Sequence, residues 1–350
     1  MHTQKRLLEE VCLIRLILII LLVLYHSFAP FSGSWRPLDG QQAIEPIYRW
    51  VAIISYSFML ETFTFISGYV FGYQISRKGT SSLTYRGIGL NKFRRLIIPS
   101  LVFSLIYILI LKPEMLSTPL KSTMELISGV GHMWYLPMLF WCFIAIVFIE
   151  KSNLRPKTTI ILLVGLALLS FMPSPLRIGS AMYYMLFFFA GYAIQLFSFN
   201  TLKIATPKWI ITALSIYVIA LLLSKSSIAL YISELNGGGY LSKALSLIIE
   251  RFGQLLYALP GVAMVYLISY YIIYKKKIRL NIRLINLSTY CFGIYLFQQF
   301  ILQWIYYHTE AANIISIIYL PWIAFLFTLI LSLLLTKLTL STRAGRLLIG

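Results

Sequence analysis

The chain has 350 residues, of which 59% are hydrophobic and only 12% charged, with a mean hydropathy of +0.82. This composition excludes a soluble domain and a disordered chain. The formal net charge of +19 does not point to nucleic acid, because most basic residues gather in segments between apolar runs, where membrane topology and anionic headgroups account for them.

Apolar runs of helix-spanning length recur from end to end, so the expected fold is all-α: a polytopic membrane helix bundle, one domain over residues 1–350. Ten spans are expected, at about 11–29, 51–73, 96–111, 133–149, 159–172, 182–198, 209–224, 248–274, 287–307 and 314–336. Those near 96–111 and 159–172 fall below the roughly 20 residues that cross a bilayer unaided, which makes them tilted, re-entrant or extended into their flanks. The first run follows Lys5 and Arg6 without a convincing cleavage site and is expected to be retained. Basic residues alternate between dense segments, such as Arg77 to Arg95 and Lys275 to Arg283, and sparse ones. With the dense segments inside, both termini lie in the cytoplasm. The glycines of "NGGGY" (236–240) precede no Lys-Ser/Thr and read as a turn in an outer loop.

Within the first span, "RLILIILLVLYH" carries Arg15 and His26. Eleven steps of an α-helix separate them by about 16 Å and return to within about 20° of the same direction, so they share a face. Taken singly, each has a bland explanation: an arginine reaching the inner headgroups, a histidine in the outer interface. Glu61 lies near the middle of the second span, where a carboxylate is costly unless it is paired or faces a cavity. It is expected either to polarise an imidazole, to pair with a basic residue such as Arg15, or to remain a neutral hydrogen-bonded acid. His132, Trp134 and Tyr135 open the fourth span, as an aromatic belt or as the lining of a substrate pocket. Cys12, Cys142 and Cys291 stand in separate apolar segments, and no cluster has metal-ligand spacing.

Six stretches in order resemble the acyltransferase-3 family of integral membrane acyltransferases. They are the Arg15, ten-residue, His26 spacing; "TFTFISGYVFGY" (62–73); "KFRRLIIPS" (92–100); "GHMWYLPMLF" (131–140); "STYCFGIYLFQQF" (288–300); and "TRAGRLLIG" (342–350). The resemblance implies transfer of an acyl group, most often acetyl from acetyl-CoA, to a hydroxyl of a cell-surface polysaccharide or lipid-linked glycan. It further implies that His26 is central to catalysis, that Arg15 supports it or the acyl donor, and that the setting is a bacterial inner membrane. Two departures stand out. Gln298 replaces a histidine found in many relatives and cannot titrate, and Lys92 replaces an arginine and lacks its bidentate fork.

The residue types suit that chemistry. An imidazole with a pKa near 6.5 can accept the proton of a sugar hydroxyl as it attacks a thioester, or can take the acyl group itself. Arg86, Lys92, Arg94 and Arg95 form a basic inner segment for the phosphates of coenzyme A. His132 and Gln298 would line the acceptor or acyl pocket, and Trp134 and Tyr135 would stack on a sugar. No metal is expected. The competing reading is a transporter or flippase of an envelope glycan precursor, with Glu61, Arg15 and Arg251 as an intramembrane relay.

Overall fold

The computed structural model describes residues 8–38, 46–172, 174–225 and 240–350. Most of "NGGGY", together with Lys5 and Arg6, lies outside the described residues. Short turns aside, the helices are α1 (Glu9–Ser27), α2 (Pro46–Tyr56), α3 (Met59–Lys78), α4 (Tyr85–Lys92), α5 (Ile98–Leu111), α6 (Pro119–Ser128), α7 (Tyr135–Lys151), α8 (Pro156–Leu168) and α9 (Ile178–Leu196). They continue as α10 (Pro207–Ser224), α11 (Tyr240–Tyr270), α12 (Ile282–Thr289), α13 (Cys291–Tyr307), α14 (Leu320–Ser341) and α15 (Arg343–Ile349). Among the described residues there is no strand.

Helices cover most of each of the ten expected spans, although residues 169–172 and 315–319 lie outside them. Among the described residues, seven stretches are long and apolar enough to cross a membrane: α1, Pro46–Lys78, Tyr85–Leu111, Gly131–Lys151, α10, Ser242–Lys275 and α14. The other three differ for local reasons. Helix α8 has only 13 residues and α13 has 17, while α9 has 19 but includes Tyr183, Tyr184, Tyr192 and Gln195. The second span begins earlier than its apolar run suggests and is interrupted by a turn at Ser57 and Phe58. Glu61 consequently sits in the first turn of α3, where unpaired backbone N–H groups and the helix dipole favour a carboxylate.

The solvent of the bundle is legible in α14. Its buried positions Ala324, Thr328, Ser332 and its exposed positions Leu326, Ile330, Leu334 each repeat every four residues. Small and polar side chains face the protein and large apolar ones face outward, the inverse of a soluble helix and the pattern expected in lipid. The chain is an integral membrane protein.

The described residues form two compact units. One comprises residues 1–63, 200–217 and 259–337, and the other 64–199, 218–258 and 338–350. In the first, α1 packs along α13. The Cys291 Sγ lies 3.6 Å from the Arg15 carbonyl, and the Tyr306 hydroxyl donates to the Ser27 carbonyl at 2.5 Å. An aromatic core of Phe28, Phe31, Tyr48 and Tyr306, with Leu302 and Leu320, closes one end. At the other end Glu9 accepts from the Arg279 guanidinium and from the Leu280 N–H, each at 3.0 Å, and Glu10 accepts from Tyr274 at 2.7 Å.

In the second unit α3 and α9 meet backbone to backbone. A methyl group at Gly68 would collide with the Phe188 carbonyl, and one at Gly191 with the Phe65 carbonyl. Small residues at these two positions permit the approach. Between α4 and α5, residues Phe93–Ile97 take a π-helical turn. Pro99 explains it, because its ring clashes with the carbonyl four residues earlier and it brings no N–H to the ladder.

Candidate active site

His26 lies in the last turn of α1 and is buried. The helix stops where Pro30 cannot continue it, and the following segment folds back: the N–H groups of Ser34 and Trp35 both donate to the Ala29 carbonyl, at 3.1 and 3.2 Å. This return lays the Trp35 indole over the His26 imidazole, with ring centroids 5.6 Å apart and 27° between planes. Tyr25 lies on another side of the imidazole at 4.9 Å, stacks on Tyr56 at 4.2 Å, and hydrogen-bonds the Ser34 side chain. Tyr306 and Tyr307 each stand 6.4 Å from the Trp35 ring, and the Tyr307 hydroxyl donates to the Arg36 carbonyl at 2.6 Å. His26 therefore sits in an aromatic enclosure tied to α13.

Helix α1 is unbroken from Arg15 to His26, so the shared face and the separation of about 16 Å follow from helix geometry. Arg15 is half-buried beside Cys12 and Cys291. Glu61 is buried in the same unit. Gln298, also in this unit, is fully buried on α13.

His132, Trp134 and Tyr135 belong to the second unit, where His132 is buried in a tight turn, Gly131–Trp134, ahead of α7. Gly129 and Gly131 have φ of 82° and 57°, left-handed values that favour glycine. The turn is pinned from three sides. Ser104 accepts from the Val130 N–H at 3.0 Å, Ser100 donates to the Met133 carbonyl at 3.4 Å, and the Arg177 guanidinium donates to the carbonyls of Ser128 and Gly129 at 3.0 and 3.3 Å. Burial lowers the pKa of Arg177 from its usual value and nearby Glu125 opposes that shift. Trp134 and Tyr135 meet Tyr184 at 6.0 and 6.4 Å, Tyr135 exchanges a hydrogen bond with Thr64 at 3.1 Å, and the Arg251 guanidinium stands 5.6 Å from the Tyr183 ring.

The basic segment divides. Arg86, Arg94 and Arg95 are exposed, and Arg95 reaches a Gly350 oxygen at 3.4 Å. These three fit a polyanion. Lys92 turns inward, its ammonium 3.7 Å from the Phe143 ring centroid and 5.5 Å from Phe71. A cation–π contact of this kind is worth about 0.5–2 kcal/mol and directs the charge away from a phosphate at the surface.

Trp35, Tyr306, Arg177 and Ser104 escape a reading of the sequence. A tryptophan in a loop, or an arginine among the outer basic residues, carries no mark of the side chain it will touch. Among the described residues no cluster of His, Cys, Asp or Glu has a geometry that would hold a metal ion.

The fold and the site define a membrane-embedded helix bundle with an imidazole buried in an aromatic enclosure. The chain matches the model of the acyltransferase-3 family, described as an acyltransferase domain, over residues 9–339. It belongs to that family and is a membrane acyltransferase. No curated protein and no solved structure gives a significant match.

Proposed function

We propose that the protein is an acyl-CoA-dependent O-acyltransferase of the bacterial inner membrane, a single domain with both termini cytoplasmic. It moves an acyl group, acetyl foremost, to a hydroxyl of a surface polysaccharide or lipid-linked glycan. The observation that carries this reading is His26, buried against Trp35 and Tyr25 in the family-matched span and on one helix face with Arg15.

Acyl-CoA supplies an activated thioester carbonyl. Exposed Arg86, Arg94 and Arg95 would hold its phosphates by charge-assisted hydrogen bonds. The His26 imidazole takes the proton of the acceptor hydroxyl as the oxygen attacks, then returns it to the departing sulfur, so that one C–O bond forms, one C–S bond breaks and free thiol is released. A positioned base of this type contributes typically 10²–10⁴-fold. In the alternative route the imidazole takes the acyl group first. Arg15, on the same helix face about 16 Å away, would steady the acyl donor, and Glu61 would polarise the imidazole or pair with a cation. Gln298 is a candidate for contact with the acyl group or its donor, and His132, Trp134 and Tyr135 are candidates for contact with the acceptor sugar.

The test is stoichiometry. Reconstituted protein given acetyl-CoA and envelope glycan is expected to release one free CoA per new ester. Glycan movement across the vesicle membrane without CoA release or ester formation would make the protein a transporter instead.

A further inference from the structure

Gln298 has no exposed surface, and neither its Nε2 nor its Oε1 has a hydrogen-bond partner. Leaving a buried polar group unsatisfied is costly, so an amide kept in this state calls for an occupant. The Thr328 hydroxyl on α14 has the same two properties.

Contacts between the helices locate both groups along the first unit. Cys291 touches Arg15 and Tyr306 touches Ser27, so α13 and α1 run parallel, side by side. Gln298 follows Cys291 by seven residues, about 10 Å further along and only about 20° round, on the side that Cys291 turns to α1. It thus stands between the levels of Arg15 and His26, about 6 Å short of the latter. Helix α14 runs the opposite way, with Thr336 against Gly293 and Ala324 in the cluster with Leu302 and Tyr306. Eight residues from Thr336, Thr328 falls within about 5 Å of the level of Gln298.

Building on the acyl-CoA reading above, we propose that Gln298, assisted by Thr328, is a binding station for an amide of the pantetheine arm. Pantetheine has two secondary amides, about 4 and about 9 Å along the extended chain from its sulfur at ordinary bond lengths. With the thioester at His26, the interval to Gln298 lies between those values. A carboxamide is complementary to such a group, donating from Nε2 to the C=O and accepting at Oε1 from the N–H. The Thr328 hydroxyl supplies one more donor. Neither side chain is charged, which suits the neutral arm and not the phosphates.

The test compares coenzyme A with adenosine 3′,5′-bisphosphate, which lacks the arm, by calorimetric binding to the full-length protein in nanodiscs. Gln298→Leu is expected to weaken coenzyme A binding about 10-fold, leave the bisphosphate unchanged, and keep or raise the thermal midpoint, since it removes an unsatisfied amide. Thr328→Val, which keeps the shape of the side chain, is expected to weaken coenzyme A by about 3-fold. Unchanged coenzyme A affinity in both variants, with a raised midpoint, would mean that only water occupies the site and would overturn the assignment. Coenzyme A binding no more tightly than the bisphosphate to the wild type would overturn it too. A wild type that binds neither probe would instead defeat the acyl-CoA reading.

Discussion

Trp35 and His26 are stacked, with centroids 5.6 Å apart and planes 27° from parallel. The indole fixes one face of the imidazole, and its hold on the ring comes from the return of the chain after Pro30. Aromatic pairs of this kind contribute about 0.5–1.5 kcal/mol beyond their buried area. Trp35→Ala is expected to lower kcat by about 10-fold with a smaller change in KM, and Trp35→Phe to recover most of the loss. Steady-state acyl transfer by the two variants measures it; equal rates in both would remove Trp35 from the positioning of His26.

Arg177 holds the Ser128 and Gly129 carbonyls ahead of the His132 turn. Replacing it by Met leaves two acceptors without donors, at a cost of about 2 kcal/mol, reduced to the extent that water reaches this half-buried position. Denaturation in detergent is expected to show that loss together with weaker acceptor binding.

Gly191 lies where any Cβ meets the Phe65 backbone. Overpacking typically costs about 1–3 kcal/mol, and a backbone neighbour cannot swing aside as a side chain does. Gly191→Ala is accordingly expected to lower the thermal midpoint more than Gly165→Ala, whose added methyl meets open space.

Lys92 and Arg95 make opposite predictions despite their closeness in sequence. Arg95→Glu is expected to raise the KM for acyl-CoA at least about 10-fold, because it reverses a charge in the segment proposed to hold the phosphates. Lys92→Met is expected to change KM less than about 2-fold and to act on stability through the lost contact with Phe143. Titration of acyl-CoA against both variants separates the roles.

Helix class, the seven long apolar helices and the unbroken turn count from Arg15 to His26 were legible in the sequence, because apolar runs and a 3.6-residue period act locally. The break ahead of Glu61 was not, since Ser57 and Phe58 lie inside a run that is apolar throughout. The inward turn of Lys92 was hidden for a different reason. Its direction is set by Phe71 on α3 and Phe143 on α7, and no spacing within "KFRR" encodes partners so distant in the chain. The enclosure of His26 likewise depends on Tyr306, which reaches Ser27 from the far end of the sequence. Gln298 stood out as a departure from related chains, while its burial without a partner emerged only once α13 was set against α1.

The most direct measurement is transfer of labelled acetyl from acetyl-CoA to envelope glycan in membranes carrying wild-type protein or His26→Ala at equal levels. Labelling by the wild type alone, with the variant down by about 10²-fold or more, is the result expected if His26 moves the proton or carries the acyl group. Equal, protein-dependent labelling by both forms would contradict a catalytic His26.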